Sequence, residues 1–358
     1  MLTVVLGFGL WLMGCESGKP KSAESPAAAP TPAGTVESQP VAPPAQPATG
    51  AEAQPAPAPA RKWRVGFSHS NYQEPWRIAM KKAAEREAEK YKDILDFEIH
   101  DGRGDNTVQK ANTEAMLTKG IDLLIISPHE AAPQTPPVAE AYNRGIKVLV
   151  LDRKIVGDTY NCFIGGDNVQ IGQEAGKWAV EQFKGKEMSD VKTVILQGQS
   201  GATPTKERQD GFMSVINEWN AGEGNTPKFT IVFNQICDYD RDKAKTQMEN
   251  ALQANPRIDL VYAHNDPMAI GAYLAANAAG RRGEMKIIGI DALCDPDGGV
   301  QAVIDGKIDV TFVYPPLGKE AIELAVKLLR NEPVEKNISL PTIRIDSTNA
   351  ASYMEANK

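Results

Sequence analysis

The chain is short of the residues that metal, redox and nucleic-acid chemistry rely on. It holds four cysteines and four histidines in 358 residues. The cysteines, Cys15, Cys162, Cys237 and Cys294, never stand in a Cys-x-x-Cys pair, so a zinc site or dithiol motif lacks its ligand spacing. With Cys15 set aside the remaining number is odd, which favours small buried thiols over a disulfide framework. His69, His129 and His264 lie near strand ends without metal spacing and read as hydrogen-bonded wall residues. Basic residues are also outnumbered, 39 Lys and Arg against 46 Asp and Glu, for a net charge of −7. That deficit argues against a nucleic-acid or broad anionic-membrane footprint, since both need clustered Lys and Arg. No Gly-x-Ser-x-Gly, His-Glu-x-x-His or P-loop is present, and the glycine-bearing run Gly198-Gln199-Ser200-Gly201-Ala202 is not followed by Gly-Lys-Ser/Thr. Asp167 and Asp291 could imitate a glycosidase pair, but a ligand-binding cleft needs carboxylates as well. No catalytic residue, metal or cofactor is expected.

What is present begins with an address. Leu2 to Met13 form an apolar run, shorter than the roughly 20 residues that span a bilayer and suited to the apolar core of a signal peptide. No Lys or Arg precedes it. It ends in Leu12-Met13-Gly14-Cys15, which resembles a bacterial lipobox, where the cysteine is acylated and becomes the mature N-terminus. Residues 16–60 turn to Pro, Ala, Ser, Gln and Thr. Such a stretch has too little apolar surface to offset the entropy of ordering. Its proline makes it an extended spacer, able to reach on the order of 140 Å at ~3.1 Å per residue. A lipid and a long spacer imply a globular body held off a membrane.

Beyond Arg61 short β-branched or apolar runs alternate with helical segments, the pattern of parallel sheets with crossover helices. Strands are predicted at 63–68, 95–101, 123–127, 147–151 and 161–165. A second set follows at 191–197, 229–235, 260–264, 286–290 and 309–313, with a late strand at 342–346. Helices fall between them, among them 75–92, 107–119, 168–183, 241–254, 267–279 and 318–329. Two such sets predict an α/β protein of two Rossmann-like lobes.

In open parallel sheets, ligands bind beyond the carboxyl ends of the strands. Nearly every predicted strand delivers a polar or aromatic residue there. Ser68, Glu74, Trp76 and Arg77 follow the first strand, Asp152 and Arg153 the fourth, and Asn168 the fifth. In the second set come Arg208, Tyr239, Asn265, Asp291 and Tyr314. Carboxylates accept from paired hydroxyls, guanidiniums donate in a fork, carboxamides do both, and flat aromatics cover C–H faces. That inventory matches a sugar. A closed site of this kind gains selectivity because each missing partner leaves a buried polar group unpaired, at roughly 1–3 kcal/mol.

The motifs in order resemble the bacterial ABC sugar-binding proteins of the ribose- and galactose-binding type. The resemblance runs from about Lys62 to Asp346 and rests on Leu-Asp-Arg at 151–153, Gly-Asp-Asn at 166–168, Leu-Gln-Gly at 196–198 with Arg208, Tyr-Asp-Arg at 239–241, Ala-His-Asn-Asp at 263–266, Gly-Ile-Asp at 289–291 and Asp-Gly-Lys at 305–307. It implies the type I periplasmic binding protein fold with three crossovers, one lobe of 61–166 plus 315–337 and the other of 167–314 plus 338–358. It places ligand contacts on Trp76, Asp152, Arg153, Asn168, Arg208, Tyr239, Asn265 and Asp291. Glu74-Pro75-Trp76-Arg77 and Tyr314 depart from the ribose pattern, whereas Phe67-Ser68 followed by Trp76-Arg77, and Val261-Tyr262-Ala263-His264-Asn265-Asp266, look closer to galactofuranose-binding relatives. The partners implied are a monosaccharide, an ABC permease in the inner membrane and, through Cys15, the membrane itself. A monomer on the envelope face is expected. A sensory receptor on the same fold, feeding a chemoreceptor or kinase, is the alternative.

Overall fold

A computed structural model describes residues 61–357. The leader, Cys15 and the Pro/Ala spacer lie outside the described residues. In the first half, β1 (Trp63–His69), β2 (Leu95–Asp101), β3 (Leu123–Ile126), β4 (Lys147–Leu151) and β5 (Cys162–Gly166) alternate with α1 (Pro75–Lys90), α2 (Asn106–Lys119) and α3 (Ala131–Asn143). After α4 (Asn168–Phe183) come β6 (Asp190–Gln197), α5 (Thr203–Ala221), β7 (Lys228–Ile236), α6 (Arg241–Ala254), β8 (Leu260–Ala263), α7 (Asp266–Ala278), β9 (Lys286–Ile288), α8 (Gly299–Ile304) and β10 (Val310–Phe312). The chain ends with α9 (Gly318–Leu329), β11 (Asn337–Leu340), β12 (Arg344–Asp346) and α10 (Ala350–Ala356).

The strands form two six-stranded sheets, ordered β11-β5-β4-β3-β1-β2 and β12-β10-β9-β8-β6-β7. Central strands such as β3 and β8 are buried at every residue, which is why they read as unbroken apolar runs with helices over both faces. Each sheet is doubly wound, so the chain reverses direction of growth next to β1 and β6, where crevices form at the carboxyl ends. Local signals set the helix ends. Pro75 opens α1, where its missing N–H costs nothing. The Asp105 carboxylate accepts from the Thr107 and Val108 amides at the start of α2, and Gly120 closes that helix in the left-handed region at φ 77°. Pro136 and Pro137 interrupt the bonding of α3, yet burial of Pro137, Val138 and Ala141 keeps it helical.

The chain crosses between the sheets three times: after β5 into α4, which packs on α5; after β10 into α9, which packs on α1; and after β11 into β12. One sequence expectation needs correction here. The lobe boundary placed at 337/338 falls inside β11, which pairs with β5 from Asn337 to Leu340, so the last crossing follows Leu340. The sheets are parallel as expected, except that β12 at one edge runs antiparallel to β10. A strand reached by a direct hinge crossing, without a helix to turn it round, can pair in that sense.

Candidate functional site

The carboxyl ends of both sheets converge on one narrow cleft, lined by Glu74, Trp76, Arg77, Asp152, Arg153, Pro204, Arg208, Tyr239, Asn265, Asp291 and Tyr314. Ten of the twelve candidate residues are on that wall. The first sheet supplies Glu74, Trp76 and Arg77 beyond β1 and Asp152 and Arg153 beyond β4. The second supplies Arg208 on α5 and Tyr239, Asn265, Asp291 and Tyr314 beyond β7 to β10.

Two candidates lie elsewhere. Ser68 is fully buried on β1 and its hydroxyl accepts from Thr113 Oγ1 at 2.9 Å. It faces α2, because strand side chains alternate and its neighbour Phe67 packs on the α1 side. Asn168 does not reach the cavity wall either. Its Oδ1 accepts from Arg208 Nε at 2.9 Å, and its side chain lines a separate hollow with Phe163 and Asn337. It orients a wall residue rather than forming the wall. Pro204 was missed because an apolar residue at a helix start carries no polar signal, although it follows a strand at the same edge.

Asp152 is the centre of the first-sheet wall. Its Oδ1 accepts from the Tyr314 hydroxyl at 2.9 Å, and its Oδ2 from Arg77 Nη2 at 3.1 Å and Ser127 Oγ at 3.2 Å. Arg77 is 1% exposed and also donates to Glu74 Oε1 and Ser127 Oγ. Burial works against its charge, but Glu74 and Asp152 outweigh that and hold it protonated. Arg77 is therefore largely engaged by the protein. Arg153 is different. Its nearest carboxylate oxygen, Asp152 Oδ2, is 3.8 Å from Nε, and burial followed by the Arg77 charge lowers its pKa. Its Nη1 donates to the His129 carbonyl and Gln199 Oε1, and its remaining buried N–H groups favour an incoming acceptor.

In the second-sheet wall, Arg208 donates from Nη1 to the His264 carbonyl and lies 4.9 Å over the Tyr314 ring. Asp291 is 6% exposed, and no protein donor reaches its carboxylate among the described residues. Burial, and then the neighbouring Asp266 carboxylate, push its pKa well above the usual range, against the pull of Arg208. Asp266 is pushed up to about 7, by burial first, but its oxygens are spent on Thr311 Oγ1 and the Ala292 amide. It pins the α7 start to β10 from outside the cavity. The N-cap of α7 is instead Asn265, whose Oδ1 accepts from the Met268 amide while Nδ2 donates to the Tyr239 carbonyl.

The aromatic residues are held close. Trp76 Nε1 donates to the Tyr314 carbonyl at 2.8 Å, with ring centroids 5.1 Å apart. A Cβ on Gly166 would stand 2.4 Å from Tyr314 Cε2, and one on Gly198 would stand 2.1 Å from Tyr239 Cζ. Only glycine lets these rings lie against the backbone. Three wall residues, Asp152, Tyr239 and Asp291, have positive φ of 67°, 62° and 130°. Backbone strain of this kind costs about 1–3 kcal/mol per residue and gathers at functional sites. Of the histidines, His264 accepts from the Gly198 amide through Nδ1, and His69 is fully buried between Phe67 and Tyr72. Cys162 and Cys237 are buried thiols. Among the described residues no cluster of three or more His, Cys, Asp or Glu is placed to hold a metal, and no helix is long and apolar enough to cross a membrane.

Comparison with known proteins gives the same direction. Residues 65–333 match the family model described as a periplasmic binding protein domain. The ribose import binding protein of Bacillus subtilis is 31% identical over 284 residues, 78% of this chain and 86% of that protein. The galactofuranose-binding protein of Escherichia coli is 32% identical over 260 residues, 70% of this chain and 77% of that protein. Among solved structures, the fructose-binding periplasmic domain of a hybrid two-component system superposes with a TM-score of 0.76 at 37% identity, covering 82% of this chain and 94% of that one. A Mycobacterium smegmatis protein in complex with β-D-fucofuranose gives 0.75 at 30% identity, covering 82% and 97%. A matched domain over most of the described chain, on two doubly wound sheets with a shared cleft, establishes that this protein belongs to the periplasmic binding protein family.

Proposed function

We propose that this protein binds one monosaccharide between its two lobes by hinge closure, as the exported, lipid-anchored substrate-binding component of an ABC importer. One observation carries the reading: charged, carboxamide and aromatic side chains from the carboxyl ends of both sheets meet on the walls of a single cleft, where a few placed polar groups beside aromatic faces are the makings of a small-molecule site. Arg153, Arg208 and Asp291 keep hydrogen-bonding capacity that the protein does not use, and they are the groups we assign to sugar hydroxyls. Trp76, Tyr239 and Tyr314 are assigned to the ring faces. Asp152 contributes its remaining lone pairs. We assign the first lobe to 61–166 with 315–340 and the second to 167–314 with 341–358, on the sheet order. Ligand favours the closed form because only there do both walls touch it. We assign no catalytic residue. The lipid anchor rests on Leu12-Met13-Gly14-Cys15.

The similarity to relatives named for galactofuranose and β-D-fucofuranose supports a furanose-type ligand. A second reading, a sensor that hands its closed form to a signalling partner, is favoured by the 37% identity to a domain of a hybrid two-component system. The experiment is a thermal-shift screen of the full chain against D-ribose, D-fructose, L-arabinose, D-galactose and myo-inositol, followed by small-angle scattering with the best ligand. At 100 times Kd a ligand stabilises by about 2.7 kcal/mol, so a clear rise in Tm and a smaller radius of gyration are expected. No shift with any of these sugars, or turnover of the bound one, would refute the reading.

A further inference from the structure

The Gly198–Ala202 run, which mimics a phosphate loop in sequence, has a different occupation in the fold. Gln199 in this loop is 9% exposed. Its Oε1 accepts from Arg153 Nη1 at 3.1 Å, and its Nε2 stands 2.8 Å from His129 Nε2. Arg153 Nη1 also donates to the His129 carbonyl at 2.5 Å. His129 follows β3 and Arg153 follows β4, whereas Gln199 follows β6. The contact therefore spans the cleft between the two sheets and is made by protein alone. The loop comes in close: a Cβ on Gly201, whose φ is +78°, would stand 3.1 Å from Glu130.

Donor and acceptor roles follow from chemistry. A guanidinium only donates, so the amide oxygen of Gln199 must face Arg153 and its NH₂ must face the imidazole. That NH₂ needs a bare lone pair on His129 Nε2. The ring proton then sits on Nδ1, 3.1 Å from Ser70 Oγ. A protonated ring would put N–H against N–H. The amide cannot turn to relieve this, because its oxygen is held by Arg153.

We propose that His129 and Gln199 are positioning residues that fasten the two lobes together and hold the Arg153 guanidinium in the ligand cavity, and that the fastening requires the neutral imidazole. The part that concerns ligand rests on the sugar-binding reading above. The surroundings favour the neutral ring. Burial disfavours its charge first, then Arg153 and Arg77 oppose it, while Glu130 and Glu74 work the other way. Asp105 at the α2 cap also feels the imidazole. Arg103, from the loop before α2, and Asp238, before α6, line the same cleft as His129. Because the closed form holds the histidine below its ordinary value, acid favours the open form. Affinity is full at neutral pH and falls as pH drops through the imidazole range.

The test uses the full chain. The first readout needs no sugar: the His129 imidazole is titrated by NMR, its resonance assigned by its loss in His129→Gln. The wild-type ring should titrate below the ordinary ~6.5, and Gln199→Ala should move it towards that value. The second readout is calorimetric affinity for D-fructose as probe between pH 7.5 and 5. Wild-type affinity should fall about tenfold with acid, the worth of roughly one hydrogen bond. His129→Gln keeps an acceptor that cannot titrate, so its affinity, whatever its level, should stay flat. Gln199→Glu offers a carboxylate to both Arg153 and an imidazolium, so its affinity should rise as pH falls. Ordinary titration of His129 in wild type and Gln199→Ala alike would overturn the proposal. So would a His129→Gln protein as pH-sensitive as wild type. If D-fructose and the sugars of the screen fail to bind while the imidazole shift depends on Gln199, the fastening stands and the sugar reading falls.

Discussion

Replacing Asp291 by asparagine should stabilise the sugar-free protein while weakening its hold on sugar. The carboxylate is 6% exposed, receives no protein hydrogen bond among the described residues, and sits beside the buried Asp266. Its pKa is therefore raised by burial first and by Asp266 second. The sign follows from linkage. The unfolded chain ionises near ~3.9, the folded one well above it, so folding is penalised increasingly as pH rises from about 4 towards the folded value. The amide of Asp291→Asn would carry no such penalty. Relief at pH 7 should amount to about 1–2 kcal/mol after local relaxation, on the scale of burying one uncompensated polar group, or on the order of 2–4 °C in Tm. The side chain would retain one acceptor, so the loss of a charge-assisted bond to a sugar hydroxyl should cost about 1.5–3 kcal/mol, roughly ten- to a hundredfold in Kd. Calorimetric unfolding of wild type and D291N from pH 4 to 8, without sugar, measures the first effect, and titration calorimetry measures the second. The stability gap should close near pH 4 and widen above it. A D291N protein less stable than wild type at pH 7 would show that the carboxylate is paired in solution and would overturn this account of the site.

Asp152→Ala should behave oppositely in the sugar-free state. It removes the partner of Tyr314 and of an Arg77 that is 1% exposed, so a loss of about 2–4 kcal/mol in urea unfolding is expected, short of full loss of a buried pair because Glu74 remains; near-native affinity in titration calorimetry would reject the assigned site. Gly198→Ala should displace the Tyr239 ring, whose Cζ would lie 2.1 Å from the new methyl. About 1–3 kcal/mol of stability should go, with at least about tenfold in affinity, and an unchanged Kd would show that Tyr239 does not cover the sugar. Cys15→Ser should move the protein from the membrane to the soluble fraction on cell fractionation, and unchanged membrane association would exclude the lipid.

Much of the fold was legible because strand and helix periods differ and because the turns carry proline, glycine and capping residues. The runs at 95–101, 147–151, 168–183, 241–254 and 318–329 coincide with β2, β4, α4, α6 and α9. β11 was not legible. Asn337-Ile338-Ser339-Leu340 is short and half exposed, and it becomes a strand only because the β5 edge stands beside it. The candidate wall was legible for a related reason: in doubly wound sheets the carboxyl edge is a property of topology, so any polar residue just past a strand is brought there.

Local pattern was therefore enough to establish that two sets of parallel strands each present polar and aromatic residues at one edge, given the rule of right-handed crossovers. It was not enough to say what each residue does there. Ser68 and Trp76 both follow from β1, yet Ser68 turns to α2 while Trp76 reaches the cavity. Arg77, Arg153 and Arg208 are alike as letters, but Arg77 is consumed by Glu74, Ser127 and Asp152, and Arg153 is left with a distant carboxylate. Those roles were settled by the packing of distant segments, which also brought Gln199 to His129 across 70 residues of chain. Hydrogen-bond partnership and desolvation depend on which surfaces meet in three dimensions, and no short-range pattern encodes that meeting.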